Sequence, residues 1–372
     1  MEKAYMIIPR SLIDQLDEAK TLAETAGYEI LRVWKTRYPN RVGRGLLAEI
    51  SNKVVEDDPS TIIFYGDPSP STVYLLMKNT RRRIIDRVEL ILEIFVKHAG
   101  SREALLQIEM ARIKHEIPLV REFIRRSKMG ELPGFLGPGG YAVDAYYRHL
   151  TSRLARLRRE LERLRQIRSK QRGSRGRLGL LHAAIVGYAS AGKTTLFNAI
   201  TGLSKPVGPE YFTTLQPKHF RVRIAGADIV FVDTVGFIRD VPPTIIEAFH
   251  STLEEITESD VIIFVVDASK GLRKIEYELE SGFEILNNIG AVGIPIFIAL
   301  NKIDLITEDE TRELLNRVRG MLTSEPAVKG IIPISAKNRV NIDALVREVA
   351  KIGSSARALE TIPESLRAEA RP

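Results

Sequence analysis

The chain has 372 residues, room for two or three domains, and its 44% hydrophobic and 27% charged content is ordinary for a globular protein. It has no cysteine, which excludes disulfides, thiolate metal sites and cysteine catalysis, and no apolar run of about 18 residues that would cross a membrane, so a cytoplasmic protein is expected. The net charge is +8, but Arg148–Arg177 alone holds eleven arginines and one lysine against two glutamates; that segment carries +10 and the rest −2.

From the N-terminus, the β-rich runs Tyr5–Ile8, Glu29–Trp34, Thr61–Tyr65 and Arg83–Asp86 alternate with amphipathic stretches such as Ser11–Ala26 and Arg87–His98. This alternation predicts a small α/β unit over 1–98 with a mainly parallel sheet. Trp34 reads as a core residue at a strand end, and Gly43-Arg44-Gly45 as a turn.

Residues 99–172 contain two apolar ladders. Leu106, Met110, Ile113, Ile117, Val120 and Ile124 recur at steps of 4 and 3, as do Leu150, Leu154, Leu157, Leu161 and Leu164. That period of ~3.5 belongs to helices packed along a common seam. The Gly/Pro-rich stretch Met129–Gly140 cannot continue a helix, so the product is an antiparallel hairpin, bent near Pro118, with a loop over 129–140. Arg153, Arg156, Arg159 and Arg163 then face away from the leucine seam. The sequence RGSRGRL (Arg172–Leu178) reads as a basic linker over 173–178.

Strand and helix alternate again over 179–353. Strands are expected at Leu181–Val186, Phe220–Ala225, Ile229–Asp233, Val261–Asp267, Ile296–Asn301 and Ile331–Ile334, and 354–372 reads as a frayed helix or tail. The first strand runs into Gly187-Tyr188-Ala189-Ser190-Ala191-Gly192-Lys193-Thr194, then Thr195 and a helix. This is G-x-x-x-x-G-K-[ST] in its strand–loop–helix setting, where inward amides wrap phosphates at a helix N-terminus. Lys193 would reach the β- and γ-phosphates, and the Thr194 hydroxyl would ligate Mg²⁺.

Asp233-Thr234-Val235-Gly236 ends a later strand. The Asp can hold Mg²⁺ through water, and the Gly amide can approach the γ-phosphate. Asn301-Lys302-Ile303-Asp304 ends another. The Asp304 carboxylate can accept from guanine N1–H and the exocyclic amine, a pair that adenine lacks. Ser335-Ala336-Lys337 follows the last strand and can present a backbone amide to guanine O6. Between the first two motifs, Thr214 is the candidate switch residue closing over Mg²⁺, with Thr213 its rival. Lys193, Thr214 and Gly236 are the candidate catalytic groups. Phe237 occupies the position where Ras-like proteins carry a water-orienting Gln, so hydrolysis by the chain alone should be slow. Arg239, His219 and Arg273 lie near in sequence but read as solvated side chains.

The runs GYASAGKTTLFNAITG, FTTLQP and DTVGFIRDVPP (Asp233–Pro243), with Asp86–Pro118 upstream and GPGG before an Arg-rich helix, closely resemble the HflX GTPases over most of 40–353. The resemblance implies a Ras-like P-loop GTPase domain behind an N-terminal domain made of a small α/β unit and an antiparallel helical hairpin. It implies GTP and GDP as ligands, Mg²⁺ as cofactor, and association with the large ribosomal subunit in ribosome dissociation or stress response. The basic helix 148–177 would supply the rRNA contacts. Ser190 stands where many relatives carry Asn, which speaks against potassium stimulation, and GPGGYAVDAYYR (Gly137–Arg148) departs from the family's acidic and double-Arg pattern. The alternative is a regulatory GTPase acting on a protein partner, without ribosome or RNA binding.

Overall fold

Strands that run parallel and are covered on both faces must be apolar on both faces, and Tyr5–Ile8, Ile62–Phe64, Ala183–Val186, Val261–Val266 and Ile296–Leu300, all buried, meet that demand. The computed structural model describes residues 1–99, 101–128, 140–172, 180–203, 218–224, 227–239, 245 and 250–360. They fall into two compact units, one built on Met1–Ser169 and one on Lys170–Val241 with His250–Pro372.

In the first unit β1 (Glu2–Pro9), β2 (Tyr28–Thr36), β3 (Thr61–Phe64) and β4 (Arg83–Asp86) form an all-parallel sheet in the order β2-β1-β3-β4. The helices are α1 (Leu16–Ala26), α2 (Arg44–Asp57), α3 (Pro70–Thr80) and α4 (Arg87–His98). Their starts are capped as the sequence allows. Ser69 accepts from the Thr72 amide ahead of Pro70, and Asp86 accepts from the Glu89 amide at 2.8 Å. Trp34 is buried against Tyr5, ring centroids 4.6 Å apart, and its Nε1 donates to Glu49.

Two local expectations need correcting. Arg10–Gln15 forms a 3₁₀ turn before α1 rather than one helix from Ser11. Gly43-Arg44-Gly45 is not a turn: Gly43 is the N-cap of α2, and Arg44 and Gly45 lie in its first turn. Packing of Leu46, Leu47, Ile50 and Val54 on the sheet outweighs the ~1 kcal/mol that a helical glycine costs.

The two ladders become α5 (Arg102–Lys128) and α6 (Gly140–Arg172). Leu106, Ile113 and Val120 pack with Leu150, Leu154 and Leu157 around Tyr74 and Phe123, closing the seam. The helices are antiparallel. Arg102 pairs with Glu160, Glu109 with Arg153, and Glu116 with Tyr146, so seven residues forward on α5 match seven back on α6. α5 continues through Pro118 as one helix, and α6 begins at Gly140 and keeps Arg172, which narrows the expected loop and linker. Residues 129–139 and 173–179 lie outside the described residues.

The second unit holds β5 (Leu181–Gly187), β6 (Lys218–Ile224), β7 (Ala227–Asp233), β8 (Val261–Asp267), β9 (Ile296–Asn301) and β10 (Val328–Pro333) in the order β10-β9-β8-β5-β7-β6. Among the described strands only β6 runs antiparallel, and as the edge strand it exposes Lys218, His219, Arg221 and Arg223, charges and imidazole that blunt further pairing. The helices are α7 (Lys193–Thr201), α8 (His250–Thr257), α9 (Leu272–Asn288), α10 (Glu308–Met321) and α11 (Ile342–Glu360). α11 continues past residue 353, and 361–372 lie outside the described residues. β5 sits where the chain turns from filling one side of the sheet to filling the other, the point at which open α/β sheets bind ligands beyond the strand ends. No helix among the described residues is long and apolar enough to cross a membrane.

Candidate nucleotide-binding site

The loop from Gly187 to Thr194 leaves β5 and enters α7 at that point. Two of its glycines are obligatory. Gly187 has φ 144°, and a Cβ there would stand 2.2 Å from the Val265 carbonyl oxygen on β8. Gly192 has φ 96°, and its Cβ would stand 2.2 Å from Asn301 Nδ2. The backbone can follow this path only where side chains are missing. Ser190, at φ 61°, is the exposed crown of the loop, between Ala189 and the buried Ala191. Lys193 is buried and its Nζ donates to the Tyr188 carbonyl at 2.8 Å. Burial pulls its pKa down to about 8, with Asp233 opposing.

Asp233 ends β7, fully buried, and accepts from the Thr194 hydroxyl at 3.4 Å. Two hard oxygens at the loop's base are the donor chemistry that Mg²⁺ takes. Thr195 follows, half-buried in the first turn of α7. Thr234 donates to the Ile185 carbonyl at 2.7 Å, and Val235 is buried. Gly236 lies against the loop: a Cβ would meet Lys193 Nζ at 2.9 Å and Ala189 at 3.3 Å. The next residue is stitched to the loop on both sides. The Phe237 amide donates to the Gly187 carbonyl at 2.9 Å, and its carbonyl accepts from Ala189 at 2.8 Å. Its ring is buried edge-on between Tyr188 and Phe264, centroids 6.0 and 6.2 Å away.

At the other end of the site, Asn301 ties two loops together. Its Nδ2 donates to the Ala191 carbonyl at 2.8 Å, and its Oδ1 accepts from the Ala336 amide at 2.9 Å. Lys302, at φ 68°, places its Nζ 2.7 Å from Asp267 at the end of β8. Burial alone would raise the Asp267 carboxyl; hydrogen bonds from Lys302 and Ser269 outweigh it and hold the pKa below the usual value. Asp304 is exposed, and the buried Ser335 hydroxyl donates to its Oδ1 at 2.6 Å. Of the three amides at Ser335–Lys337, Ser335 bonds Val340 and Ala336 bonds Asn301, while Lys337 makes no hydrogen bond among the described residues.

The structure therefore gathers 187–195, 233–236, 301, 302, 304 and 335–337 at the carboxyl ends of β5, β7, β9 and β10. Thr213 and Thr214 lie outside the described residues. Arg239 lies over the Tyr277 ring at 5.1 Å, and His219 stands 3.6 Å from Glu255. Sequence reasoning missed Asp267, and it missed the chain of rings Tyr188, Phe237, Phe264 and Phe283. It also missed Gly282 on α9, where a Cβ would stand 2.2 Å from Phe264 Cζ.

A mainly parallel sheet with a glycine-bounded loop of phosphate-loop geometry at its switch point, faced by the Asn301–Asp304 and Ser335–Lys337 loops, defines a P-loop GTPase fold. Comparison with known proteins agrees. Family profiles match over 182–302 (50S ribosome-binding GTPase), 98–175 (GTP-binding GTPase Middle Region) and 13–96 (GTP-binding GTPase N-terminal). The chain is 49% identical to GTPase HflX of Hyperthermus butylicus over 94% of its own length and 95% of that protein's. It is 33% identical to GTPase HflX of Escherichia coli, over 81% and 72%. Among solved structures, it is similar to a GTP-binding protein of Sulfolobus solfataricus in complex with GDP, at 30% identity, covering 96% of this chain and 100% of that one, with a TM-score of 0.55. The chain belongs to the HflX GTPase family.

Proposed function

We propose that this chain is a GTP-operated switch that associates with the large ribosomal subunit, with Mg²⁺-GTP held by Gly187–Thr194 and RNA contacted by α6. In this reading the loop amides wrap the phosphates. Lys193 exchanges the Tyr188 carbonyl for β- and γ-phosphate oxygens, whose charge repays the cost of burying its ammonium. Thr194 and Asp233 would hold Mg²⁺, which neutralises phosphate charge when bound, with Thr214 or Thr213 closing from the adjoining segment. Asp304, fixed by Ser335, takes guanine N1–H and the amine. The Lys337 amide is the donor left for O6. Phe237 is buried and apolar and cannot orient a water, so hydrolysis by the chain alone is slow.

The observation that supports an RNA partner is on α6. Arg148, Arg156, Arg158, Arg159 and Arg163 are exposed and make no ion pair among the described residues. Arg153, expected to join them, is instead paired with Glu109. Crowded like charges repel, and a polyanion relieves that repulsion. The 50S ribosome-binding description of the family profile over 182–302 supports the same partner.

Co-sedimentation with purified large subunits tests the reading, with a non-hydrolysable GTP analogue or GDP and over about 50–200 mM salt. Binding should be stronger with the analogue and fall steeply with salt. Replacing Arg156, Arg159 and Arg163 by Ala should flatten the slope of log K against log salt by about 1 per arginine. No co-sedimentation at any salt refutes the ribosomal partner; an unchanged slope refutes the interface.

A further inference from the structure

Away from the nucleotide site, a cavity of about 420 Å³ opens where α4, α5 and α6 meet. Its size lies in the range of small-ligand pockets. Val96 and Leu105 line it, left 42% and 44% exposed, and Tyr146, 44% exposed, stands beside them. Large apolar side chains left in solvent around one concavity mark a binding surface more often than scattered ones do.

The charged groups of the lining are already engaged with one another or with a neighbour. Glu109 pairs with Arg153, Arg112 pairs with Glu89 at 2.9 Å, and the Tyr146 hydroxyl donates to Glu116 at 2.7 Å. An anion inside would meet the Glu109 and Glu116 carboxylates. A purely apolar segment would strip water from those charges without replacing it. A flat, neutral group with N–H donors at its edge satisfies both constraints, its face on Tyr146 and its edge towards a carboxylate.

The charge around the cavity points to what carries that group. His149 lines the cavity, and Arg156 and Arg163 follow it at intervals of seven residues on the same stripe of α6. Both arginines are exposed and without an ion pair among the described residues. The cavity thus opens at the end of a stripe that carries two exposed arginines. We propose that it receives an unstacked nucleobase of single-stranded RNA whose phosphates lie along Arg156 and Arg163. Stacking on an aromatic side chain with phosphates on arginine is how single strands are held without a sequence code. This inference rests on the reading of α6 as an RNA-binding helix.

The test uses the full chain and a fluorescein-labelled single-stranded oligoribonucleotide containing 2-aminopurine. Anisotropy reports binding, and 2-aminopurine emission reports stacking. Wild type and Tyr146→Phe should bind alike and quench the emission. Tyr146→Leu, which keeps bulk but loses the ring, should bind roughly ten-fold more weakly without quenching, and with an unchanged salt slope. No quenching by wild type, or equal quenching by Tyr146→Leu, overturns the proposal. So does Tyr146→Leu losing large-subunit affinity while its oligonucleotide behaviour stays wild type, which would make the occupant a protein. Quenching in a chain that does not co-sediment with large subunits upholds the base site and refutes the ribosomal partner; co-sedimentation without quenching does the reverse.

Discussion

Gly282→Ala sets two effects against each other. A glycine inside a helix costs about 1 kcal/mol relative to alanine, so helix propensity alone favours the change. The structure opposes it: the new Cβ would stand 2.2 Å from Phe264 Cζ and 2.6 Å from Cε1, where carbons need about 3.5 Å or more. Phe264 is fully buried on β8, with Phe237 6.2 Å away and Phe283 5.9 Å away, so it cannot retreat without displacing another ring. Overpacking of this kind costs about 1–3 kcal/mol, and with such short contacts the upper half applies, giving a net loss of about 1–2 kcal/mol. A shifted Phe264 also presses on Phe237, whose backbone is bonded to Gly187 and Ala189, so affinity for GDP should fall as well. The measurement must be local, because the single tryptophan, Trp34, lies in the first unit. Hydrogen exchange of β8 amides, with fluorescent GDP binding, reports the second unit. Gly320→Ala in α10 is the control: its Cβ would meet nothing within 4 Å, so it should be neutral or stabilising by up to about 1 kcal/mol. If both substitutions protect β8 equally, the packing argument is wrong.

Lys193→Met should abolish GTP binding yet stabilise the nucleotide-free protein at pH 7 by up to about 3 kcal/mol, less what the Tyr188 carbonyl loses, because burial holds the ammonium near pKa 8 against 10.5 for the unfolded chain. With the folded pKa depressed, the unfolded state binds more protons between those values, so nucleotide-free wild type gains stability as pH rises from 8 to 10.5; a melting series in which the variant matches or falls below wild type at pH 7 contradicts this. Asp304→Asn should weaken GTP at least 100-fold and improve binding of xanthosine triphosphate, whose C2 oxygen can accept from the new amide; equal GTP affinity in a filter-binding assay would remove Asp304 from base recognition. His115 is half-buried, which lowers its pKa, but the Asp86 carboxylate at 2.5 Å outweighs this and raises it above the usual value. Its contribution is therefore complete below about pH 6.5 and lost as pH rises through the folded value, so the first unit, followed by Trp34 fluorescence in urea, should be weaker at pH 9 than at pH 6, and His115→Gln should flatten the difference.

What the sequence disclosed, and what it hid, divides along the range of the interactions. The phosphate loop is legible because its requirements are local. The positive φ at Gly187 and Gly192 belongs to the turn itself, even though neighbouring strands also crowd both positions, and Lys193 and Thr194 follow at a set spacing. The leucine ladders are legible for a similar reason, since helix period alone decides which side chains share a face, and the buried seam contains them. Element ends were less legible. At Gly43–Gly45 the glycine pattern suggests a turn, but burial of apolar residues later in the helix prevails, and that burial depends on the sheet.

Asp267 and the aromatic chain were hidden because their meaning depends on strand order. Asp267 reaches Lys302 only because β8 and β9 are neighbours, and Phe264 meets Phe237 only because β8 lies beside β5. The same distinction changes the reading of Phe237. From the sequence it is defined by what it lacks, a polar group for water. In the structure it is defined by what it joins: the phosphate loop through two backbone hydrogen bonds, and α9 through Phe264 and Phe283. Lys193 donates to the Tyr188 carbonyl and Gly236 packs beside its ammonium, so a side chain at position 236 would crowd the group that the phosphates are proposed to meet. Displacement of the Gly236–Phe237 backbone would carry the Phe237 ring with it, which ties the phosphate loop to α9 by packing.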